Sequence, residues 1–428
     1  MRLCALALML LLQGCGAESR EVVLPPASPV PVDVEASEGA IRFLEARVKR
    51  DPDDFIAHNK LAGYYLQRLR ETGNLDYLNL ARRAADASLK AMPAEQNAGG
   101  LRLLAQTEFA AHDFVAARDH AAQLIKLDLR KTNPYPLLGD ALLELGDYDE
   151  ARRAFREMER RESRSVSTAV RLGRLAMLEG RTREAQKYFQ DALLLAADAA
   201  PPSRETVAWC RWQLGELEFN RGAYEPAERY YRESLITFPD YYRALAGLGR
   251  VRAARGDIKD AIVHYERAVR IIPEPSFLAA LGDLYQIDGR KGEAEAQFAL
   301  IDQIARLGAA GGSVYNRQLA LFYADHDLKS EEGYQLAKRE YQVRRDVYGA
   351  DALAWTALKA GHLVEARSAI KDAIKLGTQD ARLLYHDGMI SRSAGDTTAA
   401  RDSLERALKL NPQFDPRQAP IAARALSE

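Results

Sequence analysis

From about residue 41 to the C-terminal end, hydrophobic and small residues recur in a pattern that repeats itself. Each unit carries a Gly or equivalent, an Asp or Arg, an aromatic or aliphatic residue, and an Ala three positions further on. The pattern reads Gly146-Asp147-Tyr148 with Ala151, Gly180-Arg181-Thr182 with Ala185, Gly222-Ala223-Tyr224 with Ala227 and Gly256-Asp257-Ile258 with Ala261. It continues at Gly289, Gly361 and Gly395 and begins with His112-Asp113-Phe114. Upstream of each landmark sits a close-packing pair: Leu138-Gly139, Leu172-Gly173, Leu214-Gly215, Leu248-Gly249 and Leu281-Gly282. A glycine there lets a second helix approach with no Cβ in its way. Four residues after the landmark Ala come Phe155, Phe189, Tyr231, Tyr265, Phe298 and Leu404, on the same helix face one turn later. Several units close on proline, at Pro93, Pro239, Pro273 and Pro412, which cannot continue a helix. The pattern predicts a series of antiparallel helix pairs.

The landmark steps from 112 to 146 to 180, from 222 to 256 and from 361 to 395 are each 34 residues. This period and these motifs resemble the tetratricopeptide repeat family over nearly all of the chain after its N-terminal segment. The resemblance implies an all-α fold, a right-handed superhelical solenoid of antiparallel helix hairpins. About ten units fill 41–412, a lone helix at 40–50 precedes them, and residues 413–428 form a C-terminal cap, as an open solenoid needs at its ends. Three intervals break the period. LRETGNLDYLN lengthens the first unit, AADAAPPSRE separates two later ones, and GAAGGS with ADHDLKSEEGY lengthens the eighth. Such insertions are expected as loops on a rim of the solenoid.

The N-terminal residues have a different character. One Arg is followed by an apolar run from Leu3 to Leu12, about half of the ~20 residues a membrane-spanning helix needs, so 1–14 is read as a signal peptide. Leu12-Gln13-Gly14-Cys15 resembles a bacterial lipobox, which implies that Cys15 is the lipidated residue. Each buried methylene of such an anchor adds ~0.8 kcal/mol of membrane affinity. Gln13 departs from the small residue usual at that place, leaving open an ordinary secretory signal or an uncleaved interfacial segment. Gly16, where retained inner-membrane lipoproteins commonly carry Asp, implies sorting to the outer membrane, facing the periplasm, in a host with two membranes. Residues 15–40 hold Pro25, Pro26, Pro29 and Pro31 and are read as a semi-extended tether.

Charge narrows the partners. Sixty Lys and Arg against 61 Asp and Glu leave a net charge of -1, too little to draw in nucleic acid. The Arg-rich run at Arg152, Arg153, Arg156, Arg160 and Arg161 is interleaved with Glu150, Glu157, Glu159 and Glu162, as on a solvated, salt-bridged helix face. Cysteine chemistry is limited to Cys210 once the N-terminal pair is set aside. It is expected to be a small buried hydrophobe, and neither a disulfide framework nor a cysteine zinc site can form.

The sequence holds no phosphate loop, no dinucleotide fingerprint, no HExxH, no CxxC and no nucleophile elbow, so neither a catalytic residue nor a cofactor or metal is expected. Asp325-His326-Asp327 with Glu331 and Glu332 is the only local cluster suited to a cation, and it reads as a solvated acidic loop.

What the resemblance leaves is a concave face built by the first helices of successive hairpins, where protein or peptide partners lie. The family register places Asn59, Arg102, Gln106, Asp140, Arg171, Arg174, Trp212, Gln213, Glu216, Asn220, Arg243, Arg250, Asp283 and Arg317 there. Arg171, Arg174, Arg243 and Arg250 around Trp212 combine guanidinium groups with an aromatic, as binding hot spots do. The competing reading has Trp212 packed between helices and the arginines paired with acids such as Glu216. Some family members grip a C-terminal carboxylate through a Lys and Asn clamp. Asn59 and Lys60 echo it only in part, and Gly99 and Arg102 stand where further clamp residues would be.

The expected function is a membrane-anchored scaffold or assembly factor of the bacterial cell envelope. The alternatives are an envelope sensor for a small ligand or glycan, or the non-catalytic subunit of an envelope enzyme complex. An enzyme would have to hide its site in the insertions at 194–206 or 325–334.

Overall fold

The computed structural model describes residues 22–30, 34–127, 134–311 and 316–428. Cys15 and the segment 1–14 lie outside the described residues. So does part of GAAGGS.

Twenty-two α-helices and no strand are present among the described residues. Helix α1 (Val34–Arg50) is followed by ten antiparallel hairpins. The first five are α2/α3 (Phe55–Thr72, Asp76–Ala91), α4/α5 (Ala98–Ala110, Phe114–Lys126), α6/α7 (Tyr135–Glu144, Tyr148–Arg161), α8/α9 (Val166–Leu178, Thr182–Ala197) and α10/α11 (Arg204–Asn220, Tyr224–Thr237). The second five are α12/α13 (Tyr242–Ala254, Ile258–Ile271), α14/α15 (Pro275–Ile287, Lys291–Gly311), α16/α17 (Asn316–Asp325, Ser330–Val343), α18/α19 (Val347–Lys359, Leu363–Ile374) and α20/α21 (Ala381–Ser393, Thr397–Leu410). Helix α22 (Gln418–Ser427) closes the array. The protein is an all-α solenoid of helical repeats.

The repeating motif is explained turn by turn. Gly146 ends α6 in the left-handed region at φ 79°, where a side chain would be strained. An Asp then opens the second helix, and Asp113 and Asp396 accept a hydrogen bond from the N–H three residues on. The landmark alanines Ala117, Ala151, Ala185, Ala227, Ala261 and Ala366 are completely buried, so nothing larger than a methyl fits where the paired helices touch. At the other contact, Phe155 lies over Gly139 so closely that a Cβ there would sit 2.2 Å from its ring. Burying such a ring stabilises each hairpin by roughly 2–3 kcal/mol.

The array is wound tightly enough for one superhelical turn to lie on the next. Arg344, just past α17, donates to Glu144 at the end of α6 over 2.7 Å, and the Val347 N–H donates to the Tyr148 hydroxyl at 2.8 Å. Thr378 bonds the Leu178 carbonyl, and Asn411 Nδ2 donates to the Phe219 carbonyl at 2.8 Å. These partners are separated by 192 to 200 residues, so the ends of early hairpins repeatedly meet the junctions between late ones.

Three expectations are corrected. The tether does not reach residue 40, because α1 begins at Val34. Within it, 22–30 lies against α10 and α11: the Pro25 carbonyl accepts from Arg211 Nη2 at 3.2 Å, and Leu24 packs on the core around Phe189 and Cys210. The expected rim loops are largely helix or tight turn. Helix α2 runs on to Thr72, α15 reaches Gly311, and ADHDLKSEEGY contracts to a short link between Asp325 and Ser330. Its acidic start is not solvated, since His326 is nearly buried and its Nε2 donates to Asp283 at 2.9 Å, while Asp325 accepts from Trp355 Nε1 at 2.8 Å.

Candidate functional site: an axial cavity

Winding the solenoid encloses a cavity of about 550 Å³ along its axis. Its wall comes from the first helices of hairpins five to ten and from the link between α21 and α22. Seven of the fourteen predicted concave residues line it: Trp212, Glu216, Asn220, Arg243, Arg250, Asp283 and Arg317.

The other seven are placed elsewhere. Arg102 is exposed, Gln106 is half-buried and Gln213 is buried. Asn59 is held in a network between the first two hairpins, donating to Asn97 Oδ1 at 2.8 Å and accepting from Ser88 at 2.8 Å. Asp140 pairs with Arg171 at 2.7 Å and lies 3.8 Å from Arg174, which also pairs with Glu144 at 3.2 Å. The hot-spot grouping therefore divides. Arg171 and Arg174 are committed to ion pairs in hairpins three and four, while Arg243 lies over the Trp212 ring at 5.2 Å and the Tyr242 ring at 5.1 Å on the cavity wall. Glu216, expected as a partner of the arginines, does bond Arg250 and accepts from the Tyr231 hydroxyl at 2.7 Å.

A charge ladder runs through these helices. Asp140 and Arg174 are 34 residues apart, as are Glu216 and Arg250, Asp283 and Arg317, and Arg317 and Asp351; His386 follows 35 residues later. Equal spacing in a 34-residue repeat puts them on one face in successive hairpins, with sign alternating along the row. Three of the rungs close: Asp140 with Arg174, Glu216 with Arg250, and Asp351 with His386 Nδ1 at 2.8 Å. The rung between Asp283 and Arg317 is redirected. Arg317 spans Asp346 at 2.8 Å and Glu340 at 3.1 Å, and Asp283 is taken by His326 and by Arg417 at 2.7 Å.

The predicted concave residues end at Arg317 and omit Asp351, Asp380 and Arg382 of the last two hairpins and Asp415 of the cap link, and Asp325 of hairpin eight, expected in a solvated loop, lines the cavity as well. The signal for Asp351 was the same 34-residue step. For Asp415 and Arg417 there was none, because they lie outside the repeat. Arg382 bonds Asp415 at 3.1 Å. Asp325 accepts from two neutral donors, Trp355 and Gln418, and Asp380 from the backbone N–H groups of Arg382 and Leu383; burial pushes both carboxyls up. Among the described residues, no group of three or more His, Cys, Asp or Glu is arranged to hold a metal ion. Cys210 is free and fully buried, and burial drives its thiol up to about 12, which matches a packing role.

Comparison with known proteins agrees with this architecture. The tetratricopeptide repeat family matches at residues 135–158, 164–235, 213–276 and 352–414. The chain thus carries tetratricopeptide repeats, a class that serves protein interaction. Cellulose synthase operon protein C of Xanthomonas axonopodis pv. citri (strain 306) is 23% identical over 278 residues, which make up 63% of this chain and 18% of that protein. The chain therefore spans less than a fifth of the length of this relative. Among solved structures, PilW, a widely conserved type IV pilus biogenesis factor, is 20% identical with a TM-score of 0.40, over 49% of this chain and 91% of its own. MamA is 23% identical with a TM-score of 0.33, over 40% and 97%.

Proposed function

We propose that this protein is a lipid-anchored scaffold or assembly factor of the bacterial cell envelope that holds protein partners along the inner face of its superhelix. The observation that carries the reading is the axial cavity. It is open to solvent, lined by charged and aromatic side chains from six successive hairpins, and built on a repeat class that serves protein interaction. No described helix is long and apolar enough to cross a membrane. Attachment in this reading rests on Cys15.

Anchoring through Cys15 would also orient the solenoid. Residues 22–30 run along α10 and α11, so only the seven residue steps from Cys15 to Val22 separate lipid from folded surface, at most about 25 Å. The edge bearing Arg211 and Thr237 would face the bilayer, leaving the axial cavity to partners.

Two measurements test the proposal. Metabolic labelling with a fatty-acid analogue and fractionation should show the wild-type chain lipidated and in the membrane, and Cys15→Ser unlabelled and released. Membrane retention of unlabelled Cys15→Ser would overturn the anchor. A photocrosslinker at position 212 should yield discrete envelope-protein adducts that one at the exposed position 364, outside the cavity, does not. Identical patterns from both positions would overturn the inner-face reading.

A further inference from the structure

The link between α21 and α22 does more than join two helices. Asn411 Oδ1 accepts from the Tyr224 hydroxyl at 2.6 Å, and the Gln413 N–H donates to the same hydroxyl at 3.1 Å. Phe414 packs on Tyr385 with ring centroids 5.6 Å apart. Asp415 meets Arg382, and Arg417 reaches Asp283 on α14, 134 residues away in the chain. Gln418 then donates to Asp325. A stretch of successive turns, Gln413-Phe414-Asp415-Pro416-Arg417, is seated against hairpins five, seven and ten at once, and Gln418 just beyond it reaches hairpin eight, in the manner of a peptide ligand.

The wall it meets has acids to spare. Six carboxylates of the hairpins line the cavity against four arginines, of which Arg250 and Arg317 are bonded to carboxylates of the hairpins and Arg382 to Asp415 of the segment itself. The fourth, Arg243, is taken up by aromatic rings. Asp283 is the carboxylate that the ladder leaves without its Arg317, and a guanidinium from outside the repeat fills that place. The lining residue Gln318 has a buried Oε1 with no partner, a further acceptor for a donor group.

We propose that the axial cavity is a docking site for a short partner segment that places an arginine on Asp283 and an aromatic ring beside Tyr385, and that residues 413–417 occupy this site until such a segment displaces them. This identifies the chemistry of the partner in the reading above, on which it rests. The charge complementarity is specific. A guanidinium can bond a carboxylate in two parallel N–H···O contacts, and in a partly buried site such pairs decide specificity.

The probe is a fluorescein-labelled hexapeptide with the sequence of residues 413–418, tested by anisotropy on the full chain. The double variant D415A/R417A releases both charged contacts of the internal segment while keeping Asn411 and Gln418. It should bind the probe at least about tenfold more tightly than wild type, since a tethered competitor acts at an effective concentration near millimolar. Adding D283N should abolish that gain, and a probe with Glu in place of Arg should not bind. Equal binding by wild type and double variant, or by both probes, would overturn the proposal. Should the double variant unfold, hydrogen exchange on wild type decides: excess probe should accelerate exchange at 413–417, and unchanged exchange would overturn it. Crosslinking from position 212 is independent of these readouts. Partner adducts in cells together with no probe effect would locate recognition elsewhere on the inner face and leave the scaffold reading standing.

Discussion

Arg344 and Glu144 are joined across 200 residues of sequence by a 2.7 Å hydrogen bond between successive turns of the superhelix. Neither side chain is more than 18% exposed, and Arg344 also contacts Asp346 at 3.2 Å while its guanidinium lies over Phe114. Burial opposes ionisation of Glu144, but Arg344, Arg174 and Arg317 outweigh it and hold that carboxyl well below the usual range. Removing Arg344 takes from Glu144 one of its two bonded guanidinium groups and leaves it with Arg174, at a cost of about 1.5–3 kcal/mol for a lost hydrogen bond to a charged group. Arg344→Ala should therefore destabilise the protein by that order in chemical denaturation. It should also loosen the stacking of turns, read as an increase in the radius of gyration by small-angle scattering. A variant as compact and as stable as wild type would show that the turns are held by other contacts.

Glycine substitutions separate the inter-turn contact from ordinary backbone strain. Gly146 and Gly256 occupy equivalent turns at φ 79° and 83°. A Cβ at Gly256 meets nothing within 4 Å, whereas one at Gly146 would lie 2.5 Å from the Arg345 carbonyl oxygen in the next superhelical turn. Gly256→Ala should cost only the left-handed penalty, about 1–2 kcal/mol. Gly146→Ala should cost clearly more. Equal losses in urea denaturation would mean that the turns separate freely at this point.

Much of this architecture was legible because a repeat states each rule many times. The Gly at 146, 180, 222 and 256 and the Ala three positions past each aromatic fixed helix ends and close contacts before any coordinates. What the period cannot carry is how far the solenoid winds, since that depends on small rotations accumulated over five or six hairpins. Hence Glu144 with Arg344 and Tyr148 with Val347 had no sequence signal. The same limit explains the site. Residues on the repeat register, such as Glu216, Arg250 and Asp283, were found, while Asp415 and Arg417, which enter from outside the register, were not. Asp325 and His326 were misread for a related reason. An apparent acidic loop is solvated only if no other element covers it, and here hairpin seven and the cap do.

The buried strap gives a third expectation. Arg211 is 1% exposed, and its Nη1 donates to Thr237 Oγ1 at 2.8 Å and its Nη2 to the Pro25 carbonyl, while Nε lies 3.6 Å from Glu233 with no hydrogen bond of its own. Deleting residues 1–30 would remove the Pro25 acceptor and leave a nearly buried donor short of a partner, a loss of about 1–3 kcal/mol. Arg211→Met should make stability insensitive to that deletion. If the truncation alone has no effect on the melting temperature, residues 22–30 do not hold this position in solution.

His112 supplies a pH dependence with a definite sign. It stands at φ 63° in a turn where other units have Gly, and stacks on Phe114 at 5.4 Å. Burial, reinforced by the positive charge of Arg344, lowers its pKa from 6.5 to about 4. The folded state therefore keeps the ring neutral while the unfolded chain takes up a proton, so stability is fully present above pH 6.5 and declines as the pH falls toward about 4. His112→Gly removes the titrating group and relieves the left-handed backbone together. Its melting temperature should exceed that of wild type by a margin that widens between pH 6.5 and 4.5. Below about pH 4 His112 is protonated in both the folded and the unfolded chain, so the two curves should run parallel again, and a constant margin across the whole range would rule out His112 as the source.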